Sequence, residues 1–262
     1  MSGRRLLVVV PYRDRAAHLK QFVPHLRAYF ARDKADRSID YRVLVVEQEA
    51  GLPFNAGALK NAGFLLAGAD AEYTCFHDID YLPVWSDYSW ADAPTPLVWH
   101  GAQVRPVAPG ESTLFLRHDL EKFFGACVLV PNALVQRVNG YANAYWGWGY
   151  EDEDFRARFL ALGIQPGRRR GTYMPLDHRN AGFDAAGKPR AIAAVNQRLF
   201  ERRQAEGMAM ATDGLSTLRF EVLDRRPIPD AKPERPATWE IARVRLRHAP
   251  TPEQAEALAA DA

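Results

Sequence analysis

Leu6 to Val10 is an unbroken apolar run rich in β-branched residues, the pattern of a strand buried on both faces. The turn Pro11-Tyr12-Arg13-Asp14-Arg15 follows, and apolar positions then return at helical spacing through Leu19, Phe22, Leu26 and Phe30. This strand–helix unit recurs. Tyr41 to Val46 is a second strand, Gly51-Leu52-Pro53 breaks the chain, and Ala56 to Leu66 reads as a helix of small residues. Tyr73 to Phe76 is a third strand that ends on His77-Asp78-Ile79-Asp80. Such alternation predicts an α/β fold with a mostly parallel central sheet and helices on both faces, in which ligands bind beyond the carboxyl ends of the strands. Arg13, Arg15, Asp78 and Asp80 all fall at those ends.

Beyond Asp80 the regular pattern lapses. Trp85 to Pro96 is rich in Trp, Asp, Ser and Pro and reads as irregular, whereas Leu97 to His100 and Ala126 to Val130 look like strands. A short helix near Ala133 to Val138 precedes the stretch Trp146-Gly147-Trp148-Gly149-Tyr150-Glu151-Asp152-Glu153-Asp154, after which Phe155, Phe159 and Leu160 recur at helical spacing. Tyr173 to Leu176 is extended and leads into Asp177-His178-Arg179-Asn180; Arg190 to Arg203 is helical; Thr217 to Leu223 and Trp239 to Leu246 can pair as a terminal hairpin. Residues 1–248 are expected to form a single catalytic-size domain, with 249–262 an Ala/Glu-rich tail that frays.

At 262 residues, nearly half of them hydrophobic, the chain is long enough to bury a proper core. Its formal charge of +2 argues against nucleic acid as the main partner, because a surface that tracks phosphates needs a basic excess. The apolar run after Met1-Ser2-Gly3-Arg4-Arg5 is too short for a signal sequence or a membrane span. The two cysteines, Cys75 and Cys127, lie in strand-like runs with no secretory signal upstream, which favours free buried thiols over a disulfide.

Four features carry chemistry. In the Trp-Gly run, acids at the start of a helix are ordinary partners of its dipole. Two tryptophans hinged by glycines add a second reading: an indole can cover a sugar face, a carboxylate can take a hydroxyl proton, and a Gly-flanked segment can close over both. Helical phasing is expected to set in after Asp152, turning Asp154 about half a turn away, so that loss of Asp154 matters little beside loss of Asp152. Asp78-Ile79-Asp80, read as extended, puts two carboxylates on one side. Paired acids there suit Mg²⁺ or Mn²⁺ held against a diphosphate, although solvated turns often produce the same triplet. His178 sits in a polar stretch, as a surface residue or a ligand. Arg13 and Arg15 can neutralise a diphosphate, or simply be solvated.

These residues also carry a family resemblance. Pro11-Tyr12-Arg13-Asp14-Arg15, Phe54-Asn55-Ala56-Gly57-Ala58-Leu59-Lys60-Asn61-Ala62-Gly63-Phe64, Asp78-Ile79-Asp80-Tyr81-Leu82-Pro83, Phe124-Gly125, the Trp-Gly-acid block, His178-Arg179 and Asp213-Gly214-Leu215-Ser216-Thr217-Leu218 stand in the order seen in the β-1,4-galactosyltransferase family. The resemblance implies a GT-A (Rossmann-like) glycosyltransferase fold and an inverting transfer from a UDP-sugar, with Mn²⁺ holding the diphosphate. By position, Asp80 and His178 resemble the metal ligands, and Asp78 the second carboxylate near the nucleotide. Pro11, Arg13, Arg15, Phe54, Asn55, Phe123 and Gly125 fall on the donor side. Trp148 resembles the mobile-loop tryptophan that meets donor and acceptor, Asp152 the general base, and Glu151 its neighbour in the acceptor site.

The chain departs from that pattern in places. The family usually has Arg where this chain has Ala56, and Gly or Arg where it has Tyr150. Phe123 stands where galactose-specific members often carry Tyr, so the donor is left as UDP-galactose or UDP-N-acetylgalactosamine. A third metal ligand is open between Met174, Asp177 and Asn180. The acceptor is expected to be a saccharide, lipid-linked precursors included, in surface glycan or polysaccharide synthesis. A bacterial-type cytoplasmic enzyme, soluble or peripheral at the inner membrane face, would match a chain that starts almost at its catalytic region. The alternatives are a polymerising GT-A transferase with another donor and a catalytically silent sugar- or nucleotide-binding protein.

Overall fold

A computed structural model describes residues 4–37, 39–108, 111–117, 123–176, 189–229 and 239–261. Its first strand, β1 (Arg5–Tyr12), holds five consecutive residues, Leu6 to Val10, out of solvent. Alternate side chains face opposite ways. Leu6, Val8 and Val10 join Phe22, Leu26 and Phe30 of α1 (Ala16–Arg37), while Leu7 and Val9 join Ala58, Leu59 and Ala62 of α2 (Ala56–Ala67). Burying each such side chain contributes roughly 1.5–3 kcal/mol relative to exposure, so one short strand anchors both layers. The small residues of α2 allow its close approach: a Cβ at Gly63 would overlap Val9 and lie 2.9 Å from Val46.

Parallel neighbours flank β1, namely β2 (Asp40–Gln48), in register from Arg5↔Asp40 to Tyr12↔Glu47, and β3 (Tyr73–His77). Then follow β4 (Tyr81–Trp85), β5 (Thr95–Pro96), β6 (Val98–Ala108), β7 (Glu111–Arg117), β8 (Cys127–Pro131), α3 (Asn132–Arg137), α4 (Glu151–Ala161), β9 (Gly171–Pro175), α5 (Ala191–Ala205), β10 (Phe220–Pro227), β11 (Trp239–Leu246) and α6 (Pro252–Ala260). Seven strands form the main sheet in the order β10-β11-β2-β1-β3-β8-β5, and β4-β9-β6-β7 form a second sheet. The centre of the main sheet, β11-β2-β1-β3, is parallel as the alternation predicts; β8, β5 and β10 add antiparallel margins. The carboxyl ends of β1, β2 and β3 therefore share one edge.

Three expectations change here. The terminal hairpin exists, but β11 also pairs parallel with β2 and so belongs to the sheet centre. Asp78 to Asp80 is a turn and not an extended segment: Tyr81 N donates to Asp78 O at 3.4 Å, and Asp78 N is fixed by Ala126 O at 2.6 Å. The segment from Pro252 is a helix and not a frayed tail. Thr251 and Gln254 form a capping box, Pro252 starts the first turn, and Gln254 and Ala257 are buried. Cys75 and Cys127 are free buried thiols on neighbouring strands; burial pushes both thiols up, away from the reactive thiolate.

Candidate active site

The edge shared by β1, β2 and β3 gathers most of the residues singled out in the sequence. Arg13 donates to Leu52 O at 2.5 Å and lies over the Phe54 ring, 5.4 Å from its centroid. Arg15 donates to Asp80 Oδ2 at 2.9 Å, and Asp80 keeps only 5% of its surface exposed. Asp80 O accepts from Leu176 N at 2.6 Å, which brings the end of β9 to the turn two residues before His178. His178 itself, with Asp177 and Asn180, lies outside the described residues. Met174 packs against the core from β9, opposite Leu82.

Two residues expected on the donor side are buried. Asn55 is fully buried and caps α2: its Oδ1 accepts from Ala58 N at 2.8 Å and its Nδ2 donates to Asn143 O at 2.7 Å. Its side chain is thereby committed to the start of α2 and to the Asn143 carbonyl. Pro11 is a buried residue of β1 opposite Val46.

The Trp-Gly run divides its two indoles. Trp146 is buried against the His248 ring, whereas Trp148 is 38% exposed. The backbone between them is held: Asn196 Nδ2 of α5 donates to Trp146 O and Trp148 O, both at 3.0 Å, and Gly147 N donates to Phe54 O at 2.8 Å. Gln254 of α6 donates in turn to Asn196 Oδ1 at 3.2 Å and to Ala144 O at 2.8 Å. Gly147 and Gly149 have φ of +75° and +98°, and Tyr150 shares this region at +72°. For a non-glycine residue that conformation costs about 1–2 kcal/mol, and Tyr150 packs on the Phe200 ring 5.6 Å away. This is a backbone geometry that glycine adopts without that cost.

The helix α4 starts at Glu151, two residues earlier than expected, and its first acids part company. Asp152 faces the site. A methyl group on Gly125 would overlap Asp152 Oδ2 and come within 2.7 Å of the Phe123 ring, so Phe123, Gly125 and Asp152 form one wall. Glu151 lies beside Gly57 of α2. Burial, reinforced by Asp152 and opposed by Lys60, pushes the Glu151 carboxyl up to about 8. Asp154, two residues on, is wholly buried: Arg158 Nε donates to it at 2.6 Å and Tyr145 OH at 3.0 Å. Arg158 also reaches the carbonyls of Val138, Gly140 and Asp213. Asp154 is thus turned away from the side that Asp152 faces, as expected, and is held inside the core.

Lys60 was not singled out in the sequence. Its ammonium is 1% exposed, donates to Asp152 Oδ1 at 3.0 Å, lies 3.8 Å from Asp78 Oδ1 and sits over the Tyr141 ring. Burial alone would release its proton; Asp152 foremost, with Asp78 and Glu151, instead raises its affinity for the proton well above that of an ordinary lysine. Asp78 is pushed up to about 7 by burial, against the pull of Lys60. The available signal was one cation in the small apolar helix AGALKNAGFLLA, one turn past Ala56 and on the same face.

Solved structures give the class to which this architecture belongs. The chain matches the catalytic domain of Drosophila β-1,4-galactosyltransferase 7, solved in complex with xylobiose, with a TM-score of 0.70 at 24% identity, over 94% of this chain and 95% of that one. A mutant of that enzyme in complex with manganese, UDP-Gal and xylobiose gives a TM-score of 0.70 at 23% identity. The fold is the GT-A glycosyltransferase fold. Residues 1–90 match the N-terminal region of glycosyl transferase group 7, and residues 105–179 the N-terminal domain of galactosyltransferase. Curated relatives include β-1,4-galactosyltransferase 7 of Drosophila melanogaster, 31% identical over 85% of this chain, and that of Homo sapiens, 30% identical over 84%. The chain spans 64% and 62% of those relatives' lengths. It belongs to the β-1,4-galactosyltransferase family, glycosyltransferase group 7.

Proposed function

We propose that this protein transfers galactose, or N-acetylgalactosamine, from its UDP-sugar to a saccharide hydroxyl with inversion, in a Mn²⁺-dependent single displacement. The observation that carries the reading is the position of Asp152. It stands on the wall made with Gly125 and Phe123 and is joined through Lys60 to the Asp78–Asp80 turn, so base and diphosphate side lie one lysine apart. Asp152 takes the proton of the attacking hydroxyl as its oxygen bonds to the anomeric carbon and the bond from that carbon to UDP breaks. Inversion by this route needs no carboxylate nucleophile.

Asp80 offers an oxygen donor of the kind a hard divalent cation takes and with His178 makes the ligand pair that the resemblance implies, with Asp78 beside the nucleotide. Such a cation supplies Lewis acidity to the departing diphosphate when bound. Arg15, already against Asp80, adds positive charge for the same phosphates, and Arg13 with Phe54 lines the nucleotide side. Trp148 offers its exposed indole to a sugar face. The acceptor is placed among saccharides of growing surface glycans, free or lipid-linked; xylobiose, bound by the Drosophila enzyme, is the first to try.

The test is release of UDP from a panel of UDP-sugars with Mn²⁺, with and without xylobiose or lipid-linked saccharides, repeated with Asp80→Ala. Mn²⁺-dependent release from UDP-galactose or UDP-N-acetylgalactosamine, stimulated by acceptor and lost in Asp80→Ala, supports the reading. Intact donors throughout would mark a sugar- or nucleotide-binding protein, and release from another donor alone would overturn the sugar assignment.

A further inference from the structure

Lys60 is the one buried ammonium among the described residues that faces both halves of the site. A buried lysine without partners would lose its charge, so its retention needs the carboxylates around it. The geometry is unequal in a way that matters. Lys60 engages Asp152 Oδ1 at 3.0 Å, while Oδ2 of the same carboxylate is the oxygen that lies against Gly125 and the Phe123 wall. On its other side the ammonium leans on Asp78 at 3.8 Å, and below it rests on the Tyr141 ring, 4.8 Å from the centroid. Tyr141 is itself locked by stacking on Phe155 at 3.8 Å, and Asn61, the next residue of α2, ties the same segment by donating to Tyr141 O at 2.8 Å.

A carboxylate at a helix start can rotate about its side-chain bonds, and a base that must meet one hydroxyl is most effective when that freedom is removed. We propose that Lys60 is a positioning residue for the transfer reaction: it pins one oxygen of Asp152, braced from Asp78 and Tyr141, so that the other oxygen is turned to the acceptor hydroxyl. The inference rests on the reading of Asp152 as the base.

The experiment compares Lys60→Met, Asp152→Asn and the double variant, with kcat and KM for donor and acceptor, donor binding by calorimetry and thermal melting measured on each. Lys60→Met is expected to lower kcat by about 10- to 100-fold, with the donor dissociation constant changed by less than about threefold. The double variant is expected to be no slower than Asp152→Asn, because Lys60 acts only through that group. Native kcat in Lys60→Met beside an impaired Asp152→Asn overturns the role of Lys60 alone; so does a further loss in the double variant. Native turnover in Asp152→Asn overturns the base assignment and the inference with it. Should Lys60→Met fail to fold, Lys60→Gln, which keeps a polar tip, answers the same comparison.

Discussion

Two carboxylates on one helix, Asp152 and Asp154, differ by two residues and by everything around them. Two residues of helix turn a side chain through about 200°, which sends Asp152 to the site and Asp154 into the core. Asp152 meets one lysine and an open wall; Asp154 meets Arg158, Tyr145 and Arg203 and has no solvent contact. Arg203 continues to Asp213, so the buried half of the pair fastens α4 to α5 and to the Asp213–Leu218 segment. One acid is placed for chemistry because the other is fixed for structure.

The comparison is broken most forcefully at Arg158. Arg158→Leu strips Asp154 of its nearest cation in the core and leaves it Tyr145 and the more distant Arg203, which costs about 3–5 kcal/mol and lowers the melting temperature by about 10 °C. Melting within a degree or two of native would show that the buried pair is dispensable. Next comes Asp152→Asn, expected to lose about 10²-fold or more in transfer, equivalent to about 2.7 kcal/mol of barrier, with melting close to native. Loss of stability without loss of turnover would exchange the roles of the two acids.

A smaller effect is expected at the exposed indole. Trp148→Ala should cut acceptor-dependent transfer by about tenfold and leave UDP binding unchanged, because the ring offers stacking to a sugar. An equal fall in UDP affinity would move Trp148 to the nucleotide. The smallest effect concerns pH. Glu151 binds its proton more tightly folded, with its pKa near 8, than at the ordinary value of 4.5. Its contribution to stability is therefore full below about pH 4.5 and is lost as pH rises toward 8. Melting should fall as pH rises from 5 to about 9, and Glu151→Gln should flatten that slope; an unchanged slope would place the titration elsewhere.

The alternation of β1, α1, β2, α2 and β3 was legible because it rests on local period and on runs long enough to be unambiguous. The Trp-Gly run stood out because glycines interrupt its aromatics and acids, and both glycines do take positive φ. What escaped was decided by partners distant in sequence. Asp154 reads only as an acid turned away from Asp152, and its burial shows once Arg203 and Asp213 are brought together beside it. Lys60 reads as a solvated helix residue until Asp78 and Asp152 converge on it. Asn55 looks available to a ligand until the start of α2 claims its oxygen. The Asp78–Asp80 turn was missed because period-two reasoning assumes that the strand continues, whereas β3 ends at His77.

The two hydrogen bonds from Asn196 to the carbonyls of Trp146 and Trp148, with Gln254 behind them, have a consequence for affinity. Association always forfeits the freedom of whatever must be ordered at the moment of contact. Here the backbone of the Trp-Gly run is ordered when the chain folds, by a helix more than a hundred residues further along. A sugar that meets Trp148, as proposed, would find this backbone already ordered, so that α6, through Gln254 and Asn196, would lower the entropy lost in that encounter.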